Sequence, residues 1–180
     1  ALHRLGTLYT SMHRWSNADF ALDQALARAR RLHGDDGDHP DVAALLYSRG
    51  SLFADMHRYT DAENALQSAL EMLRRLHRDL DHPDIASAMY KLGSVLLAMQ
   101  RLEDAEGMLQ AALSMQRRVK KRVDDAVIAS VLHKLGALYK AKHLWDDAEH
   151  ALQESACEHA CVLPASPACC CTSALFPLLF

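Results

Sequence analysis

"LDHPDIASAMYKLG", Leu80 to Gly93, sets an aspartate, a histidine and a second aspartate around one proline and then enters an apolar pattern. Asp81, His82 and Asp84 are residue types found in metal and acid/base sites, and equally at the start of a helix. The same order stands upstream as "DHPDVA", Asp38 to Ala43. A catalytic site is usually built once, whereas a structural joint is built at every turn of a repeat. Proline in the first turn of a helix loses nothing by lacking an N–H and gains from its fixed φ. An acid in that turn complements the helix dipole. Pro40 and Pro83 therefore mark helix starts, with His39 and His82 at or near the cap and Asp41 and Asp84 in the first turn. In the third copy the place is held by Asp124, Asp125 and Ala126. Histidine and proline are gone there, and Asp125 still supplies a cap. Cap chemistry persists and ligand chemistry does not, so no metal or catalytic role is expected of these residues.

The repeat is explicit once Gly6, Gly50, Gly93 and Gly136 are placed in register, at spacings of 44, 43 and 43. Ala18, Ala62, Ala105 and Ala148 then align, as do Leu22, Leu66, Leu109 and Leu152. The turn positions Trp15, Tyr59, Leu102 and Trp145 form a further column. Each unit reads as two helical segments, A and B. In the second unit, A runs from about Pro40 to Met56, with Val42, Leu45, Leu46, Leu52 and Phe53 at helical spacing. B runs from about Tyr59 to Leu76 and carries one apolar stripe, Ala62, Ala65, Leu66, Ala69, Leu70, Leu73 and Leu76. The short joint between them leaves no room for a strand and makes the helices antiparallel. Ser16 with Asp19 and Thr60 with Glu63 have the spacing of a capping box at the start of B. Asp146 with Glu149 repeats it, and Glu103 with Glu106 is a poorer version. A glycine inside a helix costs up to ~1 kcal/mol relative to alanine. Four of them in one column point to a helix crossing too close for a side chain.

Composition agrees. Half of the 180 residues are apolar and 24% are charged, enough to bury a core and stay in solution. Aromatics are only 6%, the balance of a helical protein. A net charge of −3 gives no basic stripe for nucleic acid. All five cysteines lie between Cys157 and Cys171, so no disulfide framework is expected in the body. Residues 1–15 lack the apolar block of a signal peptide, and the chain opens inside a repeat. A fragment or processed product, in a cytoplasmic setting, is expected.

A helix hairpin with glycine before an aromatic in A, and Ala-x-x-x-Leu-x-x-Ala in B, resembles the tetratricopeptide repeat (TPR). The residues that carry the resemblance are Gly6, Tyr9, Ala18, Leu22 and Ala25, then Gly50, Phe53, Ala62, Leu66 and Ala69. Gly93, Ala105, Leu109 and Ala112 follow, then Gly136, Tyr139, Ala148 and Leu152, with Ser155 for the last alanine. The 43-residue period, with "HPDVA" opening a unit, is similar to the kinesin light chain class. The resemblance covers residues 1–156 and implies an all-α, right-handed superhelical solenoid of about four antiparallel hairpins. Its units are about 1–39, 40–82, 83–125 and 126–156. Where kinesin light chains carry paired asparagines in A, this chain has Tyr47 and Ser48, Tyr90 and Lys91, and His133 and Lys134.

In such a solenoid the A helices line a concave face. The resemblance places His3, Tyr47, Tyr90 and His133 there in one row. Thr7, Ser51, Ser94 and Ala137 come one turn on, and Arg4, Ser48, Lys91 and Lys134 alongside. Rings flanked by cations suit an extended acidic peptide with an aromatic anchor. The candidate groove residues are Arg4, Tyr47, Ser51, Tyr90, Lys91, Ser94, His133 and Lys134. The carboxylate clamp of chaperone-binding repeats needs asparagines in A, and Asn17 and Asn64 are both in B.

Other constellations point to no enzyme. There is no phosphate loop, nucleophile elbow or paired-carboxylate motif, and no cofactor is expected. His13, His57 and His143 form one column at the A–B turn, and His33 and His77 another near the end of B. Repetition explains both, and the spacing between columns sets them apart rather than in a cluster. The basic run Arg117, Arg118, Lys120, Lys121 and Arg122 suits a helix C-terminal end. Residues 157–180 form a non-repeat Cys/Pro-rich tail, expected to be irregular, and too short in unbroken apolar length to span a bilayer. Three readings of it stay open: a segment packed on the last hairpin, a zinc site, or an out-of-pattern end. The function expected is a non-enzymatic protein-interaction module, an adaptor or scaffold that binds a protein or peptide. A self-assembling module acting through its hairpin ends, as a homo-oligomer, or a kinesin light chain-like cargo adaptor, is the alternative.

Overall fold

The computed structural model describes residues 2–34, 38–119 and 126–161, with side chains through residue 157. Among them every regular element is a helix: α1 (Leu2–Ser11), α2 (Trp15–His33), α3 (Pro40–Asp55), α4 (Tyr59–Leu76), α5 (Pro83–Ala98), α6 (Leu102–Val119), α7 (Ala126–Ala141) and α8 (Trp145–Cys161). The chain divides into two compact units, Ala1–Val119 and Lys120–Phe180. The first holds three hairpins, α1/α2, α3/α4 and α5/α6. The second holds one, α7/α8. In the first unit α2 packs on α3 and α4 on α5, so each hairpin's B helix lies against the next A helix.

The glycine column is a packing device. A Cβ built on Gly6, Gly50, Gly93 or Gly136 would meet Leu22, Leu66, Leu109 or Leu152 at 2.7–2.8 Å. The two columns seen in the sequence are thus the two halves of one knob-and-gap contact, made once per hairpin. The alanine column lies beside it, wholly buried at Ala18, Ala62 and Ala105. At Ser155, where the motif's last alanine is replaced, the buried hydroxyl donates to the carbonyl of Ala129 at 2.9 Å and so is not left unpaired.

The proline joints form as expected. His39 and His82 are the N-caps of α3 and α5, and their Nδ1 atoms accept from the N–H groups of Asp41 and Asp84 at 3.2 Å. The capping boxes at the B helices do not form. α4 begins on Tyr59, as its pattern indicates, and α2 on Trp15, so the cap residues are Arg14 and Arg58, two places before Ser16 and Thr60, and they make no side-chain cap bond. α6 and α8 likewise begin on Leu102 and Trp145, which puts Glu103 and Asp146 inside the helix rather than at its cap. The reason lies in the A–B turn. His57 adopts a left-handed φ of 59°, and the N–H groups of His57 and Arg58 donate back to Ala54 and Phe53 at 3.0 and 2.8 Å. That double closure of α3 fixes where α4 can begin. His13, Gln100 and His143 hold the same left-handed φ in the other three turns. The acid that serves the start of B is Asp61 or Asp104, which accepts from the Nε of Arg58 or Arg101 at 2.8 Å.

Arg118, read as part of a basic run, does more than face a helix end. It holds Asp81 with its Nε at 2.5 Å and a terminal nitrogen at 2.8 Å. Arg117 stands beside it in the last turn of α6. Lys120, Lys121 and Arg122, the cap at Asp125, and the tail beyond Cys161 lie outside the described residues. Among the described residues no helix is long and apolar enough to cross a membrane.

Candidate functional site

The A helices of the first unit carry two clefts that share a wall. One, about 790 Å³, lies between Thr7 and Thr10 on α1, Tyr47 and Ser51 on α3, and Lys91 on α5. The other, about 500 Å³, runs from His3 on α1 past Tyr47 and Ser48 to His82 and Ser87. Tyr47 lines both. It is partly buried and packs against the apolar core. Burial raises its phenol above the usual value, opposed by the nearby Ser51 hydroxyl and reinforced by Tyr90 and Asp84. His3 Nε2 and Ser48 Oγ lie 2.8 Å apart and join α1 to α3.

Of the residues expected in the groove, Tyr47, Ser51 and Lys91 therefore line one cleft, and Tyr90 stands close enough to Tyr47 to perturb it. Ser94 turns its hydroxyl to the carbonyl of Tyr90 on its own helix at 2.9 Å. Arg4 is exposed on α1 and lines neither cleft. His133 and Lys134 are on α7 in the second unit, the first exposed and the second partly buried.

Two groups of residues were missed. The A–B turns bring rings into the larger cleft: His13 with Trp15, and His57 with Tyr59. His57 Nδ1 and the Tyr59 hydroxyl are 2.8 Å apart, and the rings meet edge to face, as do His13 with Trp15 and His143 with Trp145. The signal was present in the sequence as a His-x-aromatic column. The turn arginines add to this: Arg14 lies over Tyr9 and Arg58 over Phe53, at 5.3 and 4.4 Å from the ring centres.

The second group overturns the reading of the histidines as set apart. His33 stacks on His39 with ring centres 3.4 Å apart, and His77 on His82 at 3.5 Å. At these two junctions the end of the B helix and the following cap are sequence neighbours across a short loop, and their rings meet across it.

Comparison with known proteins agrees with this geometry. A family model described as tetratricopeptide repeat matches residues 1–75, 41–118 and 84–156. Among curated proteins nothing matches. Solved structures do. BtubC (BKLC) from P. vanneervenii has a TM-score of 0.80 at 22% identity, over 99% of this chain and 68% of that one. A kinesin light chain protein with nearly identical TPR-like repeats from Podosopora anserina has a TM-score of 0.75 at 18% identity, over 92% and 77%. The Rap protein complexed with competence and sporulation factor has a TM-score of 0.72 at 19% identity, over 87% and 42%. With a family model matched across residues 1–156, the chain belongs to the tetratricopeptide repeat family.

Proposed function

We propose that the chain is a non-enzymatic protein-interaction module that takes an extended, acidic peptide with an aromatic anchor along the A helices α1, α3 and α5. The observation that carries this is Tyr47: a ring held by the core yet forming the wall of two adjoining clefts. A partner's ring set beside it would gain apolar contact without ordering a free side chain, since Tyr47 is already fixed. Lys91, and the turn residues His13 and His57, stand at the larger cleft and favour carboxylates, although Asp55 is there too. The fold is used for ligand binding elsewhere: the Rap protein, similar in fold, is seen in complex with competence and sporulation factor. On this reading residues 1–156 are the working domain, and adaptor or scaffold is the role.

Panning a displayed peptide library against the purified chain tests it. Enrichment of acidic peptides with one aromatic, lost on Tyr90→Ala, is the expected result. Enrichment of basic peptides, or none, would remove the groove assignment.

A second reading rests on α8. Leu22, Leu66 and Leu109 are buried to within 1% exposure, while Leu152 in the same column is 39% exposed, beside Trp145 at 60%. Covering that face with a second copy would make the chain self-assemble. Sedimentation mass rising with concentration, and reverting with Trp145→Glu, would favour it.

A further inference from the structure

We propose that the two hairpin junctions are binding sites for a divalent transition-metal ion of the zinc class, one held by His33, His39 and Asp41 and the other by His77, His82 and Asp84. In each trio the three ligand atoms lie within 4.8 Å of one another. His33 Nε2 is 3.9 Å and His39 Nδ1 3.8 Å from the same Asp41 oxygen, and His82 Nδ1 is 3.5 Å from Asp84. Two ligands of one tetrahedral zinc stand about 3.3 Å apart, given bonds of about 2.0–2.1 Å. Closing on an ion therefore takes about 0.5 Å along the His33 and His39 contacts with Asp41 and up to about 1.5 Å for the widest pair of a trio, together with rotation of the parallel rings until their in-plane lone pairs converge. The side chains have room to turn: those of His33 and His39 are about a third exposed, and the carboxylates more. In turning, His39 and His82 exchange a long 3.2 Å bond from a backbone N–H for a metal bond.

The donor set chooses the metal class. Two imidazoles and one carboxylate suit zinc and its neighbours rather than calcium or magnesium, which take oxygen. Three protein ligands leave a position open.

Recurrence is the second argument. His33 and His39 are six residues apart, His77 and His82 five. Loops of unequal length nonetheless deliver rings stacked at 10° and 12°, with a carboxylate two places past the cap. The first-turn acid also complements the helix dipole, yet at both junctions the stacked rings and that acid come together as one trio of donors. The third junction has Lys120 and Asp125 at the two histidine places, so two ions per chain are expected and not three.

The test is calorimetric titration of metal-free chain with Zn²⁺ at neutral pH. The titrated variant combines Cys157→Ser, Cys161→Ser, Cys169→Ser, Cys170→Ser and Cys171→Ser, so that thiolates do not compete. Two ions should bind, one after His33→Ala, and none after His33→Ala with His77→Ala. His33 is the last residue of α2 and His77 caps the end of α4 only through its backbone N–H, so circular dichroism should show the helices intact. Asp41→Asn with Asp84→Asn should weaken both sites by more than ~10-fold. Lowering the pH through the imidazole range should release the metal. If the serine variant does not fold, the natural chain with and without the His33/His77 pair gives the answer as a difference in ions bound. No uptake, or uptake indifferent to both histidines, overturns the proposal.

Discussion

Arg75 grips Asp38 with two of its guanidinium nitrogens, Nε at 2.8 Å and a terminal nitrogen at 2.9 Å, although 37 residues separate them. The contact ties the end of α4 to the residue just before the cap of α3, and so closes the open side of one hairpin. Arg118 repeats it on Asp81 in the next. The arginine holds the carboxyl of each aspartate below its ordinary value of 3.8.

A depressed carboxylate gives a definite pH dependence. The stabilisation is present above the unfolded value and is lost as pH falls through the lower folded one. The melting temperature of the natural chain should therefore drop on acidification below about pH 4. Asp38→Asn with Asp81→Asn should flatten part of that drop while lowering the plateau at neutral pH. An unchanged acid limb would show that the clamps are screened out in solution.

The glycines differ, and substitution should separate them. A Cβ on Gly93 would meet Leu109 at 2.8 Å, while one on Gly107 in α6 meets nothing within 4 Å. Gly93→Ala should destabilise by about 1–3 kcal/mol through overpacking. Gly107→Ala should stabilise by up to ~1 kcal/mol through helix propensity. Urea unfolding of the two variants reads both signs.

His82→Ala should destabilise by about 1 kcal/mol, the usual size of a lost N-cap. His82→Asp should recover most of it, because a carboxylate can accept from the Asp84 N–H at the same place. Thermal melts of both variants decide whether the cap bond or the ring stack matters more at this junction.

Tyr90→Ala should weaken a selected acidic, aromatic peptide by ~1 kcal/mol or more. Lys91→Ala should mainly reduce the salt dependence of binding. Tyr47 is the less clean probe, because it packs on the core and its loss would also lower stability. Isothermal titration at two salt concentrations, beside melts of each variant, separates the effects.

Much of the fold was legible because the glycine, alanine and leucine columns are one contact written four times. The second B helix starts where its pattern puts it, but the caps of α2 and α4 were read two residues late. Ser16 and Thr60 carry the side chains of caps, but the left-handed residue before each start decides the frame, and His13 or His57 does not announce a positive φ. The groove was legible in part. Tyr47, Ser51 and Lys91, which the resemblance placed on one face of the A helices, line a common cleft, whereas Trp15 and Tyr59 reach it only through the turn that carries them. The histidine trios were not legible, because their members belong to different columns and meet only when the loop between them closes.

That closure bears on how these hairpins could be exchanged between proteins. The ring stack is made across the loop between hairpins, His77 on one side and His82 on the other, whereas the cap bond lies wholly past the loop and the arginine clamp stays within one hairpin, from Asp81 before α5 to Arg118 at the end of α6. A graft cut in the loop between His77 and Asp81 would divide the stack and keep cap and clamp. A graft cut at the A–B tip, where the crossover carries its own left-handed residue and its own backbone closure, would keep the stack and divide the clamp. Neither phase of the repeat is a self-contained cassette, and either boundary gives up one contact to keep the other.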